Sequence, residues 1–226
     1  MTLWPRTQPP GRKRSCAGNW LGMGLMFVCA CVYADTERVF GSELYQLRVK
    51  TVATGLEHPW GIAFLPERRM LVTERSGRMR IVDAKGVLSP PLNGVPTVAA
   101  VGQGGLLDVV LAPDFSESRR IYFSFAERRA GGNGTSVATA KLGDNELTDV
   151  EVIFRQLPTV ESSGHFGSRL VFARDGSLFV TLGERQLKHF TIRAQDLESH
   201  FGKIVRINPD GSVPDDDIDY FEARAR

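Results

Sequence analysis

The chain contains 226 residues, with 28 lysines and arginines against 26 aspartates and glutamates and a formal net charge of +2. Four of the basic residues and none of the acidic ones lie in the first 34 positions, which leaves 24 basic and 26 acidic residues and a net charge of −2 in the rest. This balance predicts no clustered basic surface of the kind that binds nucleic acid. The 192 residues after position 34 are enough for one sizeable hydrophobic core.

The first 34 residues have the pattern of a signal peptide. Arg6 and the basic run at 12–14 precede an apolar segment from Trp20 to Val32, which is too short for a comfortable membrane span. We expect cleavage after Ala34, export to the periplasm or out of the cell, and no stable membrane span in the mature protein. Lipoprotein processing at Cys31 and an uncleaved signal anchor are the alternatives.

The three cysteines, Cys16, Cys29 and Cys31, all lie within this leader. The mature chain therefore contains no thiol, which excludes disulfides, thiolate metal sites and a cysteine nucleophile. A chain without thiols is compatible with an oxidising, exported compartment.

Short apolar runs separated by turn residues predict an all-β fold after the leader. The pairs Ser76-Gly77, Asp175-Gly176 and Asp210-Gly211 are typical of tight turns between strands. Few helical patterns are convincing, and Gln195–Phe201 is expected to form at most a short turn of helix. The predicted strands span residues 49–53, 61–65, 70–74, 79–83, 105–111, 121–125, 136–141, 150–155, 170–173, 178–182 and 203–208.

A weak internal repeat relates these strands to one another. Segment 62–66 resembles segments 109–113 and 170–174, and each is followed closely by a second apolar run. The three segments start 47 and 61 residues apart, a spacing that suits one four-stranded propeller blade per unit. We therefore predict a β-propeller, with a β-sandwich of similar strands as the alternative.

The segment Ser163–Phe172 places a histidine between glycines at the entry to an apolar strand. A histidine can move a proton near neutral pH, and flanking glycines let a ligand approach the backbone closely. His165 is therefore a candidate catalytic residue, and a turn histidine with only local hydrogen bonds is the alternative. Ser162 and Ser163 lie nearby, but the sequence lacks the G-x-S-x-G elbow of a serine hydrolase.

Six segments carry a family resemblance, in order and at a characteristic spacing. They read GLEHPWGIAF (55–64), LVTERSG (71–77), GQGGLLDV (102–109), HFGSRLVF (165–172), AQDL (194–197) and GKIVRINPDG (202–211). Together they resemble the soluble quinoprotein sugar dehydrogenases, the glucose/sorbosone or aldose sugar dehydrogenase family, over residues 48–215. The resemblance implies a six-bladed β-propeller that binds pyrroloquinoline quinone (PQQ) and oxidises the C1 hydroxyl of an aldose to a lactone.

The resemblance also implies roles for three residues. His165 would be the general base that takes the sugar hydroxyl proton while hydride passes to PQQ. Gln103, within Gly102–Gly105, would contact the quinone edge, although the motif also suits a plain glycine-rich turn. Arg169 would offer its guanidinium to a carboxylate of PQQ, with a structural pair to an acidic neighbour as the alternative.

Other residues of the matching segments are interpreted as structural. Trp60 and His58 fit propeller packing, and Asp108 fits a residue that orders backbone amides better than a metal ligand. Two positions depart from the family pattern, because Gly164 stands where similar relatives often carry asparagine and Ser168 where they carry glycine. Both departures affect the fine positioning of the candidate base.

The resemblance ends near residue 215. In the family, further blades follow, with an Arg-Asn pair, a lysine and arginines that hold the cofactor carboxylates, and backbone oxygens that ligate calcium. We therefore expect a partial propeller of three to four blades over residues 35–215, an atypical tail at 216–226, and weak or no PQQ binding by this chain alone. No metal ligand is assigned; the acidic run of Asp215–Asp217 and Asp219 suits a solvated tail, with a calcium site as the alternative.

The leading hypothesis is an exported quinoprotein oxidoreductase with PQQ and calcium as implied cofactors, an aldose as substrate and an external electron acceptor as partner. A metal-dependent propeller lactonase is the second hypothesis, but it needs converging Glu, Asn and Asp ligands that the central motifs do not show. The third is a non-catalytic propeller that binds a sugar or a protein. Asn133-Gly134-Thr135 is a glycosylation sequon.

Overall fold

The structure is a computed structural model that describes residues 37–216. This part of the chain consists mainly of antiparallel strands joined by short turns. The strands are β1 (Glu37–Gly41), β2 (Gln46–Lys50), β3 (Pro59–Phe64), β4 (Met70–Glu74), β5 (Arg78–Val82), β6 (Leu106–Leu111), β7 (Arg120–Arg129), β8 (Gly132–Leu142), β9 (Leu147–Arg155), β10 (Gly167–Phe172), β11 (Leu178–Leu182) and β12 (Ile204–Ile207). The helices are α1 (Phe115–Ser118) and α2 (Lys188–Thr191), with 3₁₀ helices at Pro66–Arg68 and Ile192–Gln195.

From β3 onward, consecutive strands form three antiparallel meanders. Strands β3–β5 and β10–β12 each form a three-stranded sheet, and β6–β9 form a four-stranded sheet between them in sequence. The first strand of each meander lies against the first strand of the next, because β3 contacts β6 and β6 contacts β10. Sheets that meet along their first strands are propeller blades. The predicted partial propeller is thus confirmed with three blades, and the sandwich alternative is wrong.

Each innermost strand carries the same β-bulge near its start. The pairing with the neighbouring strand shifts between Pro59 and Ile62, between Leu106 and Val109, and between Gly167 and Leu170. These shifts begin 47 and 61 residues apart, which is the spacing of the sequence repeat. A bulge bends the strand and changes the direction of the residues beside it. The repeat is therefore a repeat of backbone geometry as well as of sequence.

The core lies on both faces of the four-stranded sheet. Phe123 and Phe125 of β7 pack in one cluster with Leu71 of the first blade. Tyr122, which alternates with them, packs in a second cluster with Leu170 of the third blade. Because successive residues of a strand point to opposite faces, one strand supplies side chains to both blade interfaces.

Two predicted elements are wrong. The strand expected at residues 49–53 is displaced, because a hairpin with β1 begins β2 at Gln46 and ends it at Lys50. The helical turn expected at 195–201 lies earlier, in α2 and the following 3₁₀ helix. That helix ends at Gln195 because Asp196 is extended, with φ −88° and ψ 119°, and its carboxylate accepts the Glu198 N–H at 2.9 Å.

The outer faces of the first and third blades are apolar and exposed. Ile62 and Phe64 are exposed on the first blade, and Val171, Phe179 and Ile204 on the third. Exposed apolar faces of this kind are surfaces that other protein segments cover, as expected for part of a propeller ring. The predicted leader at 1–34 and all but the first residue of the predicted tail at 216–226 lie outside the described residues. Between residues 37 and 216, no helix is long and apolar enough to cross a membrane.

Candidate active site

The loops that enter the innermost strands bring together two of the three predicted site residues, Gln103 and His165. His58 directly precedes β3, Gln103 lies three residues before β6, and His165 lies two residues before β10. Because the three strands are equivalent in the repeat, their entry loops lie at the same end of the blades. Gln103 and His165 therefore meet across a blade boundary.

Gln103 holds the loop that carries His165. Its side-chain Oε1 accepts the backbone N–H of His165 at 2.8 Å, and its own backbone N–H donates to the carbonyl of Ser163 at 2.7 Å. Gly102 is required beside it, because its φ is +58° and the Ser163 carbonyl occupies the space that a Cβ would need. The side-chain amide of Gln103 still has two N–H donors for a ligand.

The imidazole of His165 pairs with a carboxylate that was not predicted from the sequence. Its Nδ1 lies 2.5 Å from Oε1 of Glu184. Burial raises the pKa of Glu184, but the hydrogen bonds from His165 and from backbone N–H groups outweigh burial, so the pKa lies below its ordinary value. Glu184 is therefore ionised at neutral pH and accepts a hydrogen bond from Nδ1–H. In the neutral imidazole this leaves the lone pair on Nε2, and the His165 side chain is 43% exposed.

The position of Glu184 follows from the hairpin of β10 and β11. Gly167 is paired with Leu182 in this antiparallel hairpin. Two residues further out on each strand, the same register places His165 opposite Glu184. Counting outward from the predicted turn at Asp175-Gly176 in the register of Leu170 and Val180 would place His165 opposite Arg185. The bulge between Gly167 and Leu170 shifts the pairing by one residue to Glu184, so the sequence alone could not identify this carboxylate.

Hydroxyl groups of the second blade fix the start of β10. Thr135 Oγ1 donates to the carbonyl of Phe166 at 2.8 Å, and Ser124 Oγ donates to the carbonyl of Ser168 at 2.7 Å. The Phe166 ring is buried in a small cluster with Leu107 of β6. The residues on both sides of the loop thus rest on one rigid sheet, which pre-organises the histidine.

The two departures from the family pattern occupy tight positions. Ser168 is fully buried with φ +90°, and its Oγ has no hydrogen-bond partner. A side chain is strained at this φ, so the backbone suits a glycine better. Gly164 packs against the side-chain amide of Gln186, so a larger residue there would have to displace that amide.

Arg169 belongs to a second cluster on the innermost strands. Its Nη1 donates to Asp108 Oδ1 at 3.0 Å, and its guanidinium carbon lies 4.7 Å from the centroid of the Trp60 ring. Asp108 also accepts the Leu170 N–H at 2.9 Å, so it orders a backbone amide as expected. The structure therefore contains the alternative predicted for Arg169, a structural pair with an acidic neighbour. Its side chain is still 62% exposed, which leaves N–H groups accessible to an anionic ligand.

The acidic run contributes no assembled cation site to the part of the chain that the structure describes. Asp216 pairs with Arg206 at 2.8 Å, while Asp217 and Asp219 lie outside that part. Within residues 37–216, no group of three or more His, Cys, Asp or Glu side chains is placed to hold a metal ion. The described residues therefore offer no cluster of acidic side chains for calcium.

Similarity to known proteins places these residues in a family. The Glucose / Sorbosone dehydrogenase family matches residues 56–224. The chain belongs to this family. It is 46% identical over 184 residues to aldose sugar dehydrogenase YliI of Escherichia coli strain K12, a match that covers 80% of this chain and 49% of that protein. The family resemblance inferred from the sequence motifs is confirmed.

Solved structures of the family agree with the observed fold. The apo-form of the soluble aldose sugar dehydrogenase from Escherichia coli matches with a TM-score of 0.67 and 49% identity, over 71% of this chain and 47% of that chain. The PQQ-bound form of aldose sugar dehydrogenase from Streptomyces coelicolor matches with a TM-score of 0.63 and 32% identity, over 79% and 50%. This chain thus spans about half the length of the relatives it matches.

Proposed function

We propose that this chain forms part of the active site of a PQQ-dependent sugar dehydrogenase, which oxidises the C1 hydroxyl of an aldose to a lactone. The observation that carries the proposal is the 2.5 Å contact between His165 and Glu184, which leaves Nε2 free as a base. Membership of the Glucose / Sorbosone dehydrogenase family and the likeness to a PQQ-bound relative support the choice of chemistry.

The His165–Glu184 pair performs the proton transfer. With the C1 hydroxyl of the sugar at hydrogen-bond distance, Nε2 of His165 accepts its proton, and the imidazole becomes positively charged. The ionised Glu184 stabilises that charge and keeps the ring in the tautomer that exposes Nε2. PQQ, when bound, accepts the hydride that leaves C1. An external electron acceptor then takes the two electrons.

Two further residues have the chemistry to contact the cofactor. The side-chain amide of Gln103 offers N–H donors to a quinone oxygen, and it is fixed by its bond to the His165 backbone at 2.8 Å. The exposed guanidinium of Arg169 offers a charged donor to a carboxylate of PQQ. Calcium is given no part in this proposal, because the described residues offer no cluster of acidic side chains for it.

PQQ binding can be followed with a single tryptophan. The sequence contains Trp4, Trp20 and Trp60, and removal of residues 1–34 leaves only Trp60, which stacks on Arg169. We expect added PQQ to quench its fluorescence with weak affinity, because the chain spans about half the length of its relatives. Arg169→Gln should weaken the quenching further, whereas Arg68→Gln, on a distant turn, should not. Equal quenching in both variants would contradict the role of Arg169.

The base is tested by sugar-dependent reduction of an artificial electron acceptor with excess PQQ. We expect His165→Gln to lower the rate by about 10²- to 10⁴-fold, the contribution of a general base. His189→Gln is the matched control, because His189 lies exposed on α2 and stacks only on Phe190. A wild-type rate in His165→Gln would contradict the proposal.

Export completes the proposed function. The basic and apolar pattern of residues 1–34 supports cleavage after Ala34 and a periplasmic or secreted enzyme. The amino-terminal sequence of the protein recovered from the periplasm tests this directly, and a mature protein that still begins at Met1 would contradict it.

A further inference from the structure

The residue after Glu184 is a buried arginine that the proposed reaction does not use. Arg185 is fully buried, and it is the largest fully buried side chain among residues 37–216. Burial is the main cause that lowers the pKa of Arg185 to about 10, and the nearby positive charge of Arg129 adds to it. No carboxylate of the described residues pairs with it. A buried cation without an acidic partner is costly, so its surroundings are informative.

The guanidinium of Arg185 bonds only to neutral oxygens. Its Nε donates to the carbonyl of Gly164 at 3.1 Å, and Nη2 donates to the carbonyl of Ser162 at 2.8 Å. On the other side, Nη1 and Nη2 donate to the backbone and side-chain oxygens of Asn133, at 3.1 and 2.6 Å. Asn133 is on β8, so the guanidinium bridges the second blade to the loop that carries His165.

Further contacts complete the enclosure of this loop. The guanidinium carbon of Arg185 lies 3.9 Å from the centroid of the Phe166 ring. The backbone N–H of Arg185 donates to the carbonyl of His165 at 3.3 Å, and Ser162 Oγ donates to the Arg185 carbonyl at 2.5 Å. Arg185 thus contacts every residue from 162 to 166 except Ser163, whose carbonyl accepts the backbone N–H of Gln103 instead.

We propose that Arg185 is a positioning residue, which fixes loop 162–166 against the second blade so that the His165 imidazole meets Glu184. Its planar, five-donor fork makes four hydrogen bonds in a fixed geometry, one more than the three donors of a lysine ammonium can make. The consequence for catalysis rests on the proposed function, whereas the positioning of the imidazole does not.

The imidazole can be observed without cofactor or sugar. The chain has four histidines, so ¹³Cε1-labelled histidine gives four signals, and His165→Gln identifies one of them. Glu184→Gln gives the signal of His165 without its charged partner. We expect Arg185→Met and Arg185→Lys to move the His165 signal to the chemical shift that it has in Glu184→Gln. Arg119→Met is the matched control, because Arg119 also lies against a phenylalanine ring and donates to a backbone carbonyl, that of Leu142, and it bonds to none of residues 162–166.

The outcomes separate positioning from stability. A lower melting temperature in Arg185→Met with an unmoved His165 signal would overturn the proposal, since a purely structural residue behaves in that way. If Arg185→Met does not fold, Asn133→Ala decides, because it leaves the arginine in place and removes one acceptor on β8. A His165 signal at the wild-type position in Asn133→Ala and in Arg185→Lys would equally overturn the proposal.

Kinetics test the consequence for the reaction. We expect Arg185→Lys to lower kcat for sugar oxidation at least tenfold while KM changes less than twofold, because the base is displaced and the sugar contacts remain. A change in KM alone would contradict a role that acts through His165. If this chain alone oxidises no sugar, the histidine signals still decide whether Arg185 positions the imidazole.

Discussion

Replacing Ser168 with glycine should stabilise the protein. Ser168 is fully buried at φ +90°, and its hydroxyl has no partner. A side chain in such a backbone conformation costs about 1–3 kcal/mol, and a buried unpaired hydroxyl costs about 1–3 kcal/mol more. The greater freedom of glycine in the unfolded chain offsets roughly 0.5–1 kcal/mol of that gain. These terms sum to a net increase in the free energy of unfolding of about 1–5 kcal/mol, and a value near its lower end, about 2 kcal/mol, is already measurable.

Thermal and urea denaturation followed by circular dichroism measure this effect. For a protein of this size, 2 kcal/mol corresponds to a rise in melting temperature of roughly 4–8 °C. Ser168→Ala is the matched variant, because it removes the hydroxyl and keeps the strained Cβ, so it should give about half of the gain. A glycine variant no more stable than the wild type would refute the reasoning, and an alanine variant that gives the whole gain would refute the contribution of strain.

Three further predictions concern the site and its surroundings. Glu184→Gln should lower the rate of sugar oxidation at least tenfold, and it should lower the melting temperature at pH 7. That stability difference should vanish as the pH falls through the lowered pKa of Glu184, where the wild-type carboxylate is also neutral. A difference that persists in acid would contradict a hydrogen bond from His165 to the ionised carboxylate. Gly102→Ala should reduce stability by about 1–3 kcal/mol in urea denaturation, because φ is +58° and the Ser163 carbonyl is in the way. Asn133 is 5% exposed, so the sequon should stay unmodified in a eukaryotic secretion host, and a glycan in the intact mass of folded protein would show otherwise.

Most of the fold could be predicted because it is encoded locally. Strand β4 at Met70–Glu74 and strand β11 at Leu178–Leu182 have the predicted bounds. Apolar runs between turn residues determine such strands almost alone. The hairpin β1–β2 was not predicted, although Gln46–Lys50 alternates polar and apolar residues as a strand does. All residues of the hairpin are exposed in the structure, so that alternation does not correspond to a buried face.

The site could be predicted only in part. His165 and Gln103 carry recognisable motifs, but the hydrogen bond between them joins residues 62 positions apart on different blades. Arg169 was assigned to a cofactor carboxylate, and its pairing with Asp108 depends on the packing of adjacent innermost strands. Arg185 could not be found, because arginines are almost never fully buried and no sequence pattern marks the exception.

The bulge shared by the innermost strands has a consequence for engineering the protein. A change of length in a hairpin normally slips the register and turns every side chain to the opposite face. The loops that enter β6 and β10 join one blade to the next and not two strands of a hairpin, and the bulge after Leu106 or Gly167 separates the first residue of the strand from the regular ladder beyond it. We therefore expect a change of length in such a loop to leave the strand register of the blade in place. The loop at His58 precedes the equivalent bulge after Pro59 and carries no assigned chemistry, so it is the safest place to test this expectation.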